Sequence, residues 1–142
     1  MIHLSIITPE EVAFTGEAES ITIPTAAGEI TVLTGHIPLV STLEPGTIIV
    51  RDGKGGERFF AVSHGVVEVD HTTIRILSDI ADRVESLEEE AIEQAKRRAE
   101  EAVKSQRQGD REGFVQATAI LDRELARLKS VRRRRSSSRR HP

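Results

Sequence analysis

Chemistry in this chain would have to come from its histidines, its paired acids or its arginines. His3, His36, His64, His71 and His141 are scattered, and no His-x-His pair occurs. A cupin-like metal site needs two close histidines, a third, and a carboxylate. His36 stands alone between two apolar stretches and reads as a turn histidine. Cysteine is absent, so neither a thiol nucleophile nor a thiolate ligand is available, which fits a reducing compartment. No Gly-x-Ser-x-Gly elbow and no phosphate-binding glycine loop is present. Glu10-Glu11 and the Glu17/Glu19 pair flank turns and read as solvated surface. The strongest charge feature is the run Arg132, Arg133, Arg134, Arg135, inside a stretch from Lys129 to Pro142 with seven bases and no acid. No catalytic constellation, metal site or cofactor is expected.

The elements that would position these groups divide the chain in two. Residues 1–82 hold 12 acids and 4 bases, whereas residues 83–142 hold 11 acids and 16 bases, within a net charge of −3. Pro, Gly, Thr and β-branched residues dominate the first part; Glu, Ala, Arg and Leu dominate the second. Nine strands are expected: Ile2–Ile7, Val12–Thr15, Ser20–Ile23, Glu29–Leu33, Leu39–Leu43, Thr47–Arg51, Arg58–Ser63, Val66–Asp70 and Ile74–Leu77. Their spacing predicts an antiparallel β-sandwich over 1–82, cored by Ile, Val and Leu because only four phenylalanines are present. At its centre lies Gly28–Gly46, GEITVLTGHIPLVSTLEPG, two short strands around a Gly-His turn closed by Pro-Gly. Gly28, Gly35 and Gly46 are expected at turn positions where positive φ is cheap.

Residues 83–131 read as an antiparallel helical hairpin, making the whole an α+β chain. Ser86 to Glu89 fits a capping box, and helix one runs from about Leu87 to Gln106. Its inward face is read as Leu87, Ala91, Ala95, Ala99, Ala102 and Val103, with Glu93–Arg97 and Glu100–Lys104 paired on the solvent side. Gly109-Asp110 stops this helix and caps the next, which runs to Val131 with Phe114, Ala117, Leu121, Leu125 and Leu128 on one face. A seam built largely of alanine gains little from burial. It is compatible with a stable two-helix arm or with a marginally docked one able to switch.

Gly28-Glu29, a short apolar strand, Leu33-x-Gly35-His36-x-Pro38-Leu39 and then Leu43-x-Pro45-Gly46 resemble the epsilon subunit of F-type rotary ATP synthases. Thr34 departs from the proline or alanine usual before this glycine, while Thr8–Pro24 and Phe60–Val69 look like the family's flanking strands. The resemblance spans about Ile2 to Val131. It implies a non-catalytic central-stalk subunit of a proton-translocating ATP synthase, peripheral on the cytoplasmic face of the cell membrane. The implied partners are the gamma subunit, the c-subunit ring and the catalytic alpha/beta head; membrane contact would be indirect, through the complex. Gly28, Glu29 and His36 would face the ring and stalk. The hairpin would lie on the sandwich or extend to restrain ATP hydrolysis, with Arg132–Arg135 meeting the head.

Some family members bind ATP on the hairpin through Ile/Leu-Asp-x-x-Arg-Ala and two arginines four apart. Arg123 and Arg127 match the second part, but here Glu88, Ala91 and Ile92 replace the aspartate, arginine and alanine of the first. Losing a phosphate-pairing guanidinium among three consecutive acids disfavours an anionic ligand. The tail, 132–142, reads as basic, low in complexity and disordered beyond about Arg135. A different class of function, a β-sandwich adaptor whose basic arm binds nucleic acid, is the alternative. No aromatics interleave the arginines to stack bases, so no nucleic-acid partner is expected. Neither a leader nor an apolar run of the roughly 18 residues that cross a bilayer is expected.

Overall fold

The computed structural model describes residues 1–84, 89–106 and 111–140. Alternation builds β1 (Ile2–Ile7), where Ile2, Leu4 and Ile6 are buried while His3 is exposed. The others are β2 (Val12–Ala18), β3 (Ser20–Thr25), β4 (Gly28–Leu33), β5 (Leu39–Leu43), β6 (Gly46–Arg51), β7 (Glu57–Val62), β8 (Gly65–Val69), β9 (Thr73–Ser78) and β10 (Ala81–Arg83). β10 is the strand the sequence reading lacks. Three residues carry no period, and Ala81–Arg83 is extended because it pairs with Val62–Phe60 at the edge of β7.

The strands form one sheet in the order β10-β7-β6-β3-β5-β8-β9-β1-β2, with β4 paired to β3. All ladders are antiparallel except β1–β9, which is parallel. Phe14 on β2 and Phe60 on β7 lie near opposite ends of that order, yet their ring centroids are 5.4 Å apart. They can touch only because the sheet folds over on itself into a sandwich. A single Ile/Val/Leu core fills it, with Phe14 and Phe60. Gly28 has φ of 109° and Gly35 of 86°, as expected of turn glycines. Gly46 does not adopt positive φ; it is small because a Cβ there would lie 3.0 Å from Pro24 Cβ.

Two helices follow, α1 (Glu89–Gln106) and α2 (Arg111–Arg140). α2 lies against β6 and β7, and α1 packs on α2. The proposed caps at Ser86–Glu89 and Gly109-Asp110 fall on or beside residues outside the described set. The inward stripe of α1 is rotated from the sequence reading: Ile92 and Ala99 are buried, whereas Ala91 and Ala102 are exposed. Ile92 has more apolar surface to remove from water than any alanine nearby, so it decides which face turns inward. Glu93 reaches Arg132 on the other helix, and Glu100 pairs with Lys96 rather than Lys104. In α2, Leu125 is exposed and Ala126 buried, and the helix continues beyond Val131 to Arg140. Ion pairs along this last stretch, described next, give it a surface to lie on.

Candidate functional site

α2 presents two stripes because it is covered on two sides. Ala117 and Leu128 are buried on it, and toward α1 it turns Arg132 and Arg135. Arg132 Nη2–H donates to Glu93 Oε1 at 3.1 Å, and Arg132 and Arg135 both pair with Glu89. These contacts bind the basic end of α2 to the acidic start of α1. Toward the sandwich it turns Arg123, Arg127, Ser130, Arg133 and Ser137, spaced four, three, three and four apart, one face of a helix. Each meets a partner on a strand or on the β9–β10 connection. Arg123 lies 3.9 Å from Asp79, and Arg127 Nε–H donates to Asp82 Oδ2 at 2.6 Å. Ser130 and Thr47 hydroxyls are 2.6 Å apart and both buried. Arg133 grips Glu29 with both Nη groups at 2.6 and 3.0 Å, and Ser137 donates to Glu57 at 3.2 Å.

The apolar part of this contact is small: Val131 packs on Ile49, Phe59 and Val84. The rest of the dock among the described residues is polar, and ion pairs of this kind regain hydration when they separate. Electrostatics follow the geometry. Burial opposes the charge on Arg127, but Asp82 and Glu124 outweigh it and raise its pKa. The hydrogen bonds from Arg133 lower the pKa of Glu29, and the same contact raises that of Arg133.

The other expected site residues lie as follows. Gly28 and Glu29 are exposed at the start of β4, beside the tip of the β3–β4 hairpin. His36 is half-buried beyond β4, with Nδ1–H donating to Ile37 O at 2.7 Å. Glu88 lies outside the described residues. Arg123 and Arg127, the candidate nucleotide arginines, already face carboxylates. Arg132, Arg133 and Arg135 are all engaged within the chain, while Arg134 is exposed and makes no ion pair among the described residues. A groove of about 420 Å³ between β6–β7 and the end of α2 is lined by Arg51, Glu57, Phe59, Arg133 and Ser137. Its two arginines are matched by Glu57 and Glu29, so it offers no net positive charge.

The sequence reading did not find Asp79, Asp82, Thr47 or Ser130 as docking residues. Two signals pointed to them: the acidic first part against the basic second, and the helical spacing of polar residues from 123 to 137. A further surface is apolar. Val12, Ile7, Leu77 and Val66 sit opposite one another across β2, β1, β9 and β8. Val12 is 59% exposed, and Leu77 and Val66 more than a third. Among the described residues, no cluster of three or more metal-ligating side chains occurs and no helix is long and apolar enough to cross a membrane.

With this geometry established, comparison with known proteins is specific. The family model for the β-sandwich domain of the ATP synthase delta/epsilon chain matches residues 1–84. The ATP synthase epsilon chain of Alkalilimnicola ehrlichii is 37% identical over 139 residues, covering 98% of each chain. That of Bordetella avium is 37% identical over 94% of each chain. A chain in the structure of the Euglena gracilis mitochondrial ATP synthase (OSCP/F1/c-ring, rotational state 1) superposes with a TM-score of 0.73 at 25% identity, over 88% of this chain and 78% of that one.

Proposed function

The chain belongs to the ATP synthase delta/epsilon family, and from that premise we propose how its surfaces serve a central-stalk subunit of a rotary ATP synthase. It has no catalytic role of its own: it couples rotor rotation, driven by proton flow, to ATP synthesis in the alpha/beta head. The sandwich, 1–82, is the docking unit. Its apolar row of Val12, Ile7, Leu77 and Val66 suits burial against the gamma subunit, since exposed apolar patches mark interaction surfaces. Gly28, Glu29 and His36 face the c-subunit ring and the foot of the stalk. The subunit is peripheral, on the cytoplasmic face of the membrane.

Residues 83–131 form a regulatory arm, and 132–142 its basic end. The arm restrains ATP hydrolysis when it leaves the sandwich and carries Arg132–Arg135 to an acidic surface of the head. The observation that carries this reading is the stripe from Arg123 to Ser137, which docks by ion pairs and hydrogen bonds around the contact of Val131 with Ile49, Phe59 and Val84. The nucleic-acid adaptor has no support: Arg132, Arg133 and Arg135 are matched by the chain's own acids, and the relatives are ATP synthase chains.

Truncation after Val84 tests the reading in the assembled complex. It keeps the β10 pairing and the contact of Val84 with Ile49 and Phe59. The truncated subunit should assemble, and ATP hydrolysis by the complex should rise. Unchanged hydrolysis with normal assembly would remove the regulatory role of the arm.

A further inference from the structure

His64 occupies the turn between β7 and β8, and that turn is fixed. Its carbonyl accepts from Asp79 N–H at 3.2 Å. At the next residue, Gly65, a Cβ would lie 1.8 Å from Leu77 O, so the backbone sits directly on β9. The imidazole is thereby presented between carboxylates from two different elements. Glu44 Oε2, in the β5–β6 turn, lies 4.0 Å from Nδ1, and Asp122 Oδ2, on α2, lies 3.7 Å from Nε2. Asp79 adjoins through the backbone contact, and Arg123, next to Asp122, faces Asp79 at 3.9 Å. Three acids and one guanidinium therefore make up the charged neighbourhood of the ring. A neutral imidazole gains little from a carboxylate at 3.7 Å, whereas an imidazolium is attracted to it. We infer that His64 is a proton-operated latch between the sandwich and the arm: charged it holds Asp122 of α2, and neutral it releases that contact.

Only one of the two carboxylates moves with the arm. Glu44 belongs to the sandwich and stays beside the ring whether α2 is docked or released, whereas Asp122 is present only in the docked form. The charged ring thus gains an attraction on docking that the neutral ring lacks. Docking strengthens as pH falls through the range, about 5 to 8, in which histidine ordinarily titrates. The Glu29–Arg133 pair acts in the opposite sense and in a lower window. Hydrogen bonds from Arg133 hold the pKa of Glu29 below its ordinary 4.5, so that pair stays charged throughout the histidine range. More than a third of each side chain in the His64–Asp122 contact is open to solvent, so the latch has the strength of a surface ion pair. It biases the docked arm without deciding it, and it stands whatever the released arm does.

Amide hydrogen exchange of the full chain tests this, with each variant compared to the wild type at the same pH so that the intrinsic pH dependence of exchange cancels. From about pH 8 to about pH 5.5, protection of 117–126 in the wild type should rise about 1.5- to 5-fold relative to His64→Gln, the range a surface ion pair supplies. Asp122→Asn should remove the same gain, and the double variant should lose no more than either single one. Amides of β3, β6 and β7 should show no such gain. A His64→Gln chain that keeps the wild-type gain would overturn the latch. A gain lost in His64→Gln but kept in Asp122→Asn would also overturn it, because the proton would then act within the sandwich. An equal gain in the strands would do the same, since the stability of the whole chain and not the docking of the arm would carry it.

Discussion

Replacing Ser130 by alanine isolates the energetics of arm docking at one buried atom. Ser130 Oγ lies 2.6 Å from Thr47 Oγ1 and 3.4 Å from Gly46 O, and both hydroxyl residues are almost fully buried. In Ser130→Ala the Thr47 hydroxyl loses this partner while remaining covered by α2. A buried polar group left unsatisfied costs about 1–3 kcal/mol, whereas removing both partners of a pair is close to neutral. Thr47 is on β6 and Ser130 on the arm, so the penalty exists only while the arm is docked; released, Thr47 is hydrated. The population of the released arm should therefore rise about 5- to 150-fold. Amide hydrogen exchange reads this directly. In Ser130→Ala, amides of 123–137 should exchange faster by that factor, with β3, β6 and β7 protected as in the wild type. The double variant Ser130→Ala/Thr47→Val should recover most of the protection. Exchange that accelerates equally in the strands would mean the arm does not detach separately from the sandwich. A double variant no better than the single would show that the unsatisfied hydroxyl is not the cause.

Two further outcomes follow from the charges. Millimolar ATP should not raise the melting temperature of the hairpin, because Arg127 is taken by Asp82 and Glu124 and Arg123 faces Asp79. Saturating ligand at 100 times Kd would stabilise the folded state by about 2.7 kcal/mol, so a saturable rise abolished by Arg123→Ala would refute this. Acidification should loosen the end of the arm. Arg133 depresses the pKa of Glu29 below its ordinary 4.5, so the contribution is fully present above that pH and is lost as pH falls through the lowered value. Exchange protection of 131–137 should exceed that of Glu29→Gln at neutral pH, and the difference should close under acid; a difference that persists when Glu29 is protonated would contradict the assignment.

Period-2 alternation in Ile2–Ile7 and Thr73–Ser78, and the turn residues around Gly28 and Gly35, make the strands legible from sequence. These strands bury one face, and that requirement is written locally. The same locality makes the two helices and the change of charge at residue 82 visible, and the Gly28–Gly46 motif carries the family. Tertiary structure alone decided the rest. β10 is a strand because β7 offers an edge, and β1 runs parallel to β9 because the sheet closes. Gly46 is set by the approach of Pro24, and α1 turns on Ile92 rather than on its alanines. The helix reaches Arg140 instead of ending at Val131, and its arginines, read as contacts for another protein, find Glu29, Glu89 and Glu93 within the chain. Hydrophobic periodicity reports which face an element buries. It carries no address for a charge, and the partner of Arg133 stands 104 residues away, fixed only when the sandwich has closed and α2 lies across it.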